Sequence, residues 1–131
     1  MYRNHSIGVV IPAYNEAGFV GDVIETVPEY VDRVYVIDDG STDGTWEEMQ
    51  AASERVNEDE HASNSQHPNF DRRVVPIRHE RNRGVGGAIK TGYQRARDDR
   101  INVTAVMGGD GQMRPSALSS FLDPIVEGRA D

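Results

Sequence analysis

Four short segments hold the residues whose types and spacing could do chemistry. Pro12-Ala13-Tyr14-Asn15-Glu16 follows one apolar run, and Asp38-Asp39-Gly40-Ser41-Thr42-Asp43-Gly44-Thr45 follows a second. Arg83-Gly84-Val85-Gly86-Gly87-Ala88 comes after a polar stretch, and Gly108-Gly109-Asp110-Gly111-Gln112 closes a further apolar run. Adjacent carboxylates such as Asp38 and Asp39 repel and raise each other's pKa unless something compensates. They can accept hydrogen bonds from the N–H groups of a base or the hydroxyls of a ribose, and the run Asp38 to Gly44 also suits a turn and a helix cap. Asp110 and Gln112 offer a carboxylate and an amide oxygen two residues apart. Hard divalent cations take such oxygens, Mg²⁺ combining one or two of them with substrate phosphates. The structural alternative there is a glycine turn before a helix with Pro115 near its first position.

Two phosphate motifs fail by one decisive residue each. A dinucleotide fingerprint needs Gly-x-Gly-x-x-Gly directly after a strand. Gly84-Val85-Gly86-Gly87-Ala88-Ile89 lacks the third glycine and follows polar residues. A P-loop needs glycine before its Lys-Ser/Thr, where this chain has Ile89 before Lys90-Thr91. NAD binding and P-loop hydrolysis are therefore excluded. The chain has no cysteine, which removes disulfide scaffolds, zinc ribbons and thiol catalysis. Its net charge of −8 disfavours a nucleic-acid partner. Of its 14 basic residues only Lys90 is a lysine. Acid excess with so little lysine fits a halophilic, high-salt cytoplasm, and fits equally an acidic protein from a GC-rich genome.

These segments must be positioned by the elements between them. At 131 residues and 37% hydrophobic the chain has material for one core. Residues 6–11 read as a buried strand ended by Pro12. Phe19, Val20, Val23, Ile24 and Val27 recur at helical spacing until Pro28. Residues 34–37 read as a second strand and residues 45–56 as a second helix, with Asp43 or Thr42 as its N-cap. Residues 57–73 are polar and aperiodic and are expected to be a surface excursion. Residues 74–77 form a third strand, and Pro76 within it predicts a sheet edge. Val85, Ala88, Ile89, Gly92, Tyr93 and Ala96 mark a third helix, residues 101–107 a fourth strand, and Leu118 to Val126 a last helix, irregular at Pro124 and capped by Gly128. Apolar strands alternating with helices predict an α/β fold, a doubly wound, mostly parallel sheet of strand order 3-2-1-4. Ligands of such sheets sit beyond the strands' carboxyl ends, where all four segments fall. Trp46 and Tyr93 are expected in the core, and His5, His61, His67 and His79 on the surface. Arg72, Arg73, Arg78, Arg81 and Arg83 are expected to pair with nearby acids, with Arg83 the candidate for attracting phosphate.

Taken in order and spacing, the four segments, extended through Val10-Ile11, Val36-Ile37, Asn82 and residues 89–92, make the chain resemble the inverting family 2 glycosyltransferases of the GT-A (Rossmann-like) fold. Within that family it looks most like the dolichyl-phosphate mannosyl- and glucosyltransferases. The resemblance covers about residues 7–130. It implies that Pro12, Ala13, Tyr14 and Glu16 hold the base and ribose and that Asp38 and Asp39 contact the nucleoside. It further implies that Gly84 and Lys90 lie near the nucleotide, and that Asp110 with Gln112 holds Mg²⁺ or Mn²⁺ across the two phosphates. The implied reaction moves a sugar, with inversion, from a UDP- or GDP-sugar to an acceptor such as a polyprenyl or dolichyl phosphate.

The chain departs from that pattern in two ways. The usual first aspartate of the metal motif is Gly108, which removes one carboxylate from the cation's hold. Relatives of this kind also continue further, so residues 1–131 are expected to be the truncated, nucleotide-sugar-binding N-terminal part of the domain, with the catalytic base beyond Asp131. The competing readings are a nucleotide-sugar-binding fragment without catalysis and a signalling α/β domain. A receiver-like domain would carry its acidic pair after the first strand, and here the pair follows the second. The expected location is cytoplasmic, at the inner face of the cell membrane, with membrane contact made only through the acceptor or a C-terminal region.

Overall fold

The computed structural model describes residues 5–62 and 72–108, except for the side chains of residues 59–62. In chain order the elements are β1 (Ile7–Ala13), α1 (Val20–Glu25), β2 (Arg33–Asp38), α2 (Thr45–Ala62), β3 (Val74–Arg78), α3 (Gly84–Asp98) and β4 (Val103–Val106). The four strands pair only in parallel, in the order β3-β2-β1-β4. This is the expected topology. The last expected helix lies outside the described residues.

Side chains alternate across the sheet. Ile7, Val9, Ile11, Val34, Val36 and Val74 point to one face and pack with Val20, Ile24, Met49 and Ala52 of α1 and α2. Val10, Tyr35, Ile37 and Val75 point to the other and pack with Ala88 and Ala96 of α3. A sheet covered on both faces explains why its strands read as unbroken apolar runs.

Both prolines within strands obey the parallel ladder, in which successive residues bond to opposite neighbours. In β3, Arg73 O accepts from Val34 N–H and His79 N–H donates to Asp38 O. Odd-numbered residues therefore face β2, and Pro76 turns its missing donor to the free edge. Pro12 was expected to end the first strand, yet β1 continues through Ala13. Val10 O bonds Met107 N–H on the β4 side and Ala13 O bonds Asp39 N–H on the β2 side. Pro12 thus faces the β4 side, where strand pairing stops at Val10.

Other expectations are corrected at their edges. Residues 57–62, expected in the polar excursion, belong to α2. Asn57 explains the extension: its Oδ1 accepts from Val74 N–H at 2.9 Å and its Nδ2 donates to Val74 O at 3.1 Å, so it stands in for a missing neighbour of the edge strand. Beyond that contact a helix need show no apolar period. Phe19 precedes α1 and is 55% exposed, although its spacing predicts a place on that helix's apolar stripe. Arg73 is buried and donates to Val31 O, Pro28 O and Val27 O, which secures the α1–β2 connection.

On α3 the buried residues are Ala88, Gly92 and Ala96, spaced by four. Val85 and Tyr93, expected on the buried stripe, are exposed. This ridge of small residues lets the helix lie directly on β1. A Cβ on Gly92 would fall 2.4 Å from Val10 Cγ1 and 2.7 Å from its Cγ2. Gly92→Ala gains about 1 kcal/mol of helix propensity but overpacks a site where such strain costs about 1–3 kcal/mol. It should therefore destabilise the chain, and should do so less in a Val10→Ala background, which removes both Cγ contacts and keeps the Val10 Cβ at 3.0 Å. Urea unfolding of the four members of this cycle measures the difference.

Tyr35 is fully buried and its hydroxyl donates to Asp99 Oδ2 at 2.7 Å. Burial, reinforced by the hydrogen bond to Asp99, pushes its phenol well above the usual tyrosine range. The stability this provides is fully present below the unfolded tyrosine pKa of about 10 and is lost as pH rises further, because the unfolded chain ionises first. Tyr35→Phe should cost about 1–3 kcal/mol near neutral pH and should flatten the alkaline loss of stability. Unfolding curves at neutral and alkaline pH report both effects.

Candidate functional site

The carboxyl ends of β1, β2 and β3 carry their ladder one step past the strands. Asp39 N–H donates to Ala13 O at 2.9 Å and His79 N–H to Asp38 O at 2.8 Å. These bonds bring Ala13, Asp39 and His79 side by side on one rim. Gly40 then turns the chain away with φ of 77°. A Cβ at that position would lie 2.8 Å from Asn82 N, so glycine is needed both for the turn and for the close approach of the β3–α3 loop.

The loops beyond are tied to one another by side chains. Asn15 adopts the left-handed conformation with φ of 52°. Its N–H donates to Ser41 Oγ at 2.9 Å, and its Oδ1 accepts from Thr42 N–H at 2.9 Å. Glu16 N–H donates to Thr45 Oγ1 at 2.8 Å. Asp43 receives the Thr45 hydroxyl and, at 2.9 Å, the Thr45 N–H. The Thr45 hydroxyl holds the Asp43 carboxyl below its usual range, and Asp43, one of the two expected caps, serves the start of α2. Glu48 of α2 reaches back with Oε1 on Gly18 N–H and Oε2 on Gly21 N–H, each at 2.8 Å.

A cleft of about 330 Å³ opens on this rim. It is lined by Pro12, Ala13, Tyr14, Glu16, Asp39, Asn82, Gly84, Val85 and Ala88. Six expected binding residues, from β1, β2 and α3, thus meet in one place. Tyr14 and Val85 supply accessible apolar surface, being 45% and 67% exposed. The start of α3, with Gly84 at φ of 82°, forms the opposite wall.

The two adjacent acids differ. Asp38 is completely buried beneath the rim. Its Oδ1 accepts from Ser41 N–H at 3.2 Å, and its Oδ2 lies 3.5 Å from Arg78 Nε, an ion-pair distance without a hydrogen bond. Arg78 also covers the half-buried Trp46 ring at 5.5 Å. Asp39 reaches the cleft. Its Oδ1 accepts from Arg83 N–H at 2.8 Å and pairs with His79 Nδ1 at 2.9 Å. Lys90 does not line the cleft: it faces a second depression along α3, shared with Gly86, Tyr93 and Arg97. Asp110 and Gln112 lie outside the described residues. Among those residues no cluster of three or more His, Cys, Asp or Glu could hold a metal ion.

His79 was expected at the surface and is instead 5% exposed, with its Nε2 2.8 Å from Thr91 Oγ1. The signal that could have found it is positional. It follows the third strand as Asp39 follows the second, and a parallel register sets those two residues abreast. Asn82 and Val85 also line the cleft, beyond the binding residues to which the sequence points.

The Glycosyl transferase family 2 pattern matches residues 8–131. A UDP-N-acetylglucosamine–dolichyl-phosphate N-acetylglucosaminyltransferase of Methanococcus voltae is 32% identical over 121 residues, covering 92% of this chain and 47% of that protein. The chain therefore spans about half the length of that relative. A mannosyltransferase of Pyrobaculum calidifontis, solved in complex with GDP-Man and Mn²⁺, is 25% identical at a TM-score of 0.54, over 70% of this chain and 24% of the other. The glucosyl-3-phosphoglycerate synthase of Mycobacterium tuberculosis is alike in fold, with a TM-score of 0.63 and 18% identity over 93% of this chain and 40% of the other. With the sheet order, the rim and the cleft in agreement, the chain belongs to glycosyltransferase family 2 and has the GT-A fold.

Proposed function

We propose that the chain forms the nucleotide-binding part of an inverting glycosyltransferase that moves a sugar from a UDP- or GDP-sugar to a polyprenyl or dolichyl phosphate. The observation that carries this reading is the convergence of Tyr14, Glu16, Asp39 and Gly84, from three separate segments, on one cleft beyond the strands' carboxyl ends. Tyr14 and Val85 offer apolar faces to a base. Asp39, an acceptor, suits the N–H groups of a base or the hydroxyls of a ribose. The relative that acts on dolichyl phosphate and the mannosyltransferase solved with GDP-Man support the donor and acceptor classes.

Asp110 and Gln112 are the proposed ligands of Mg²⁺ or Mn²⁺, a carboxylate and an amide oxygen suited to a hard cation. Two observations support them. Met107 N–H bonds Val10 O, so the described chain ends on the strand beside β1, whose following residues line the cleft, and the neighbour solved with GDP-Man also holds Mn²⁺. The bound cation would neutralise charge developing on the diphosphate leaving group. In the transfer, an acceptor phosphate oxygen bonds to the anomeric carbon as the bond to the donor's diphosphate breaks. The acceptor is already anionic and needs little activation. A lipid phosphate acceptor would bring the enzyme to the inner face of the cell membrane. No helix of the described residues is long and apolar enough to cross it.

Calorimetric titration with UDP- and GDP-sugars, with and without Mn²⁺, tests the reading, and binding of neither class would end it. Asp39→Ala should weaken UMP or GMP by about tenfold or more without metal. Asp110→Ala should leave that metal-free affinity intact and abolish the increment Mn²⁺ adds for the diphosphate.

A further inference from the structure

Nothing in the proposed chemistry uses His79, yet it is buried and bonded at both ring nitrogens. Its Nδ1 faces Asp39 Oδ1. An ionised carboxylate has no hydrogen to give, so Nδ1 carries the proton and donates. Arg83 N–H donates to the same oxygen. Oδ1 is thus occupied twice by the protein. No hydrogen bond among the described residues reaches Oδ2, which is not one of the sealed, unpartnered buried atoms. Asp39 lines the cleft, so Oδ2 is the oxygen left for a ligand.

The other end of the imidazole is also provided for. Thr91 Oγ1 lies 2.8 Å from Nε2 and 3.1 Å from Gly87 O. With neutral imidazole the hydroxyl donates to Nε2. With imidazolium it accepts from Nε2 and turns its own hydrogen to the Gly87 carbonyl. In either state the Nδ1 proton stays on Asp39. The rotor thereby holds one orientation of the carboxylate, and it is mounted on α3, the helix whose first turns supply Gly84, Val85 and Ala88 to the same cleft.

We propose that His79 is a positioning residue for nucleotide recognition: with Thr91 behind it, it pins Asp39 Oδ1 so that Oδ2 faces the donor group of a bound nucleoside. This rests on the nucleoside-binding reading of the cleft. The class of ligand group it selects is an N–H or O–H donor, presented by a base or a ribose.

The test measures UMP and GMP affinity by calorimetry without metal, alongside thermal unfolding of each variant. His79→Leu should lower affinity by about tenfold or more, as expected for losing a hydrogen bond to a charged group. His79→Asn, whose amide can place an N–H where Nδ1 stood, should recover most of that loss, and His79→Gln should not. With Asp39→Ala already present, His79→Leu should change affinity no further. A purely structural histidine would instead lower thermal stability while the affinity of the folded fraction stayed at the wild-type value. Wild-type affinity in His79→Leu, alongside weakened binding in Asp39→Ala, would overturn this proposal and leave the cleft's assignment standing. Failure of the wild-type chain to bind either nucleotide would bring down both.

Discussion

Two backbone hydrogen bonds just beyond the strand ends, Asp39 N–H to Ala13 O and His79 N–H to Asp38 O, are what the rest of the site depends on. They tie the first residue after β2 to the last residue of β1, and the first residue after β3 to the last residue of β2. Without them the acidic pair would leave the sheet at no defined height. With them, Asp38 turns to the face covered by α1 and α2 and Asp39 to the face covered by α3, because successive side chains on an extended chain point to opposite faces, and both are buried. The same alternation that sorts the core residues of the two faces thus sorts two identical side chains into different roles. One is sealed under Ser41 and Arg78, and the other opens on the cleft.

This division between the two faces gives each of the adjacent carboxylates its own surroundings. Each acid has its own donors. Asp38 accepts from the Ser41 N–H and lies at ion-pair distance from the Arg78 guanidinium without a hydrogen bond to it, while Asp39 has the Arg83 N–H and the His79 ring. Buried polar groups are expensive unless paired, and here the pairing comes from the β2–α2 and β3–α3 loops that also frame the cleft. Stability of the buried acids and placement of the cleft walls are therefore one requirement. Arg78 serves both ends of it, since its guanidinium lies beside Asp38 and over the Trp46 ring at the start of α2.

Much of this was legible in the sequence where a single physical rule applied. Unbroken apolar runs predict a sheet covered on both faces, Pro76 predicts an edge, and together they predict the order β3-β2-β1-β4. The convergence of Tyr14, Asp39 and Gly84 follows from that topology. What could not be read depends on contacts between distant residues. The length of α2 depends on Asn57 pairing with the backbone of Val74, which no periodicity announces. The continuation of β1 through Pro12 depends on where β4 stops pairing. The exposure of Tyr93 and Val85 follows from a helix seated on Ala88, Gly92 and Ala96, where closeness to the sheet matters more than apolar volume. His79 has no motif of its own. It becomes notable only once the register sets it beside Asp39.

The loops on the rim are braced before any ligand arrives. Asn15 is tied to Ser41 and Thr42, Glu16 to Thr45, and the turn before α1 to Glu48. These bonds join the β1–α1 loop to the β2–α2 loop and the first turn of α2, across 26 to 30 residues of chain. The conformational entropy of ordering these loops is therefore spent on folding and not on binding, which is the condition under which a few polar contacts can hold a nucleotide. The brace also explains why residues that touch no ligand belong to the same short motifs as those that line the cleft. Ser41, Thr42 and Thr45 follow Asp39 in the chain because their hydroxyl and N–H groups hold the loop that carries Tyr14. In this fold a binding motif is as much a joint between two loops as a set of ligand contacts.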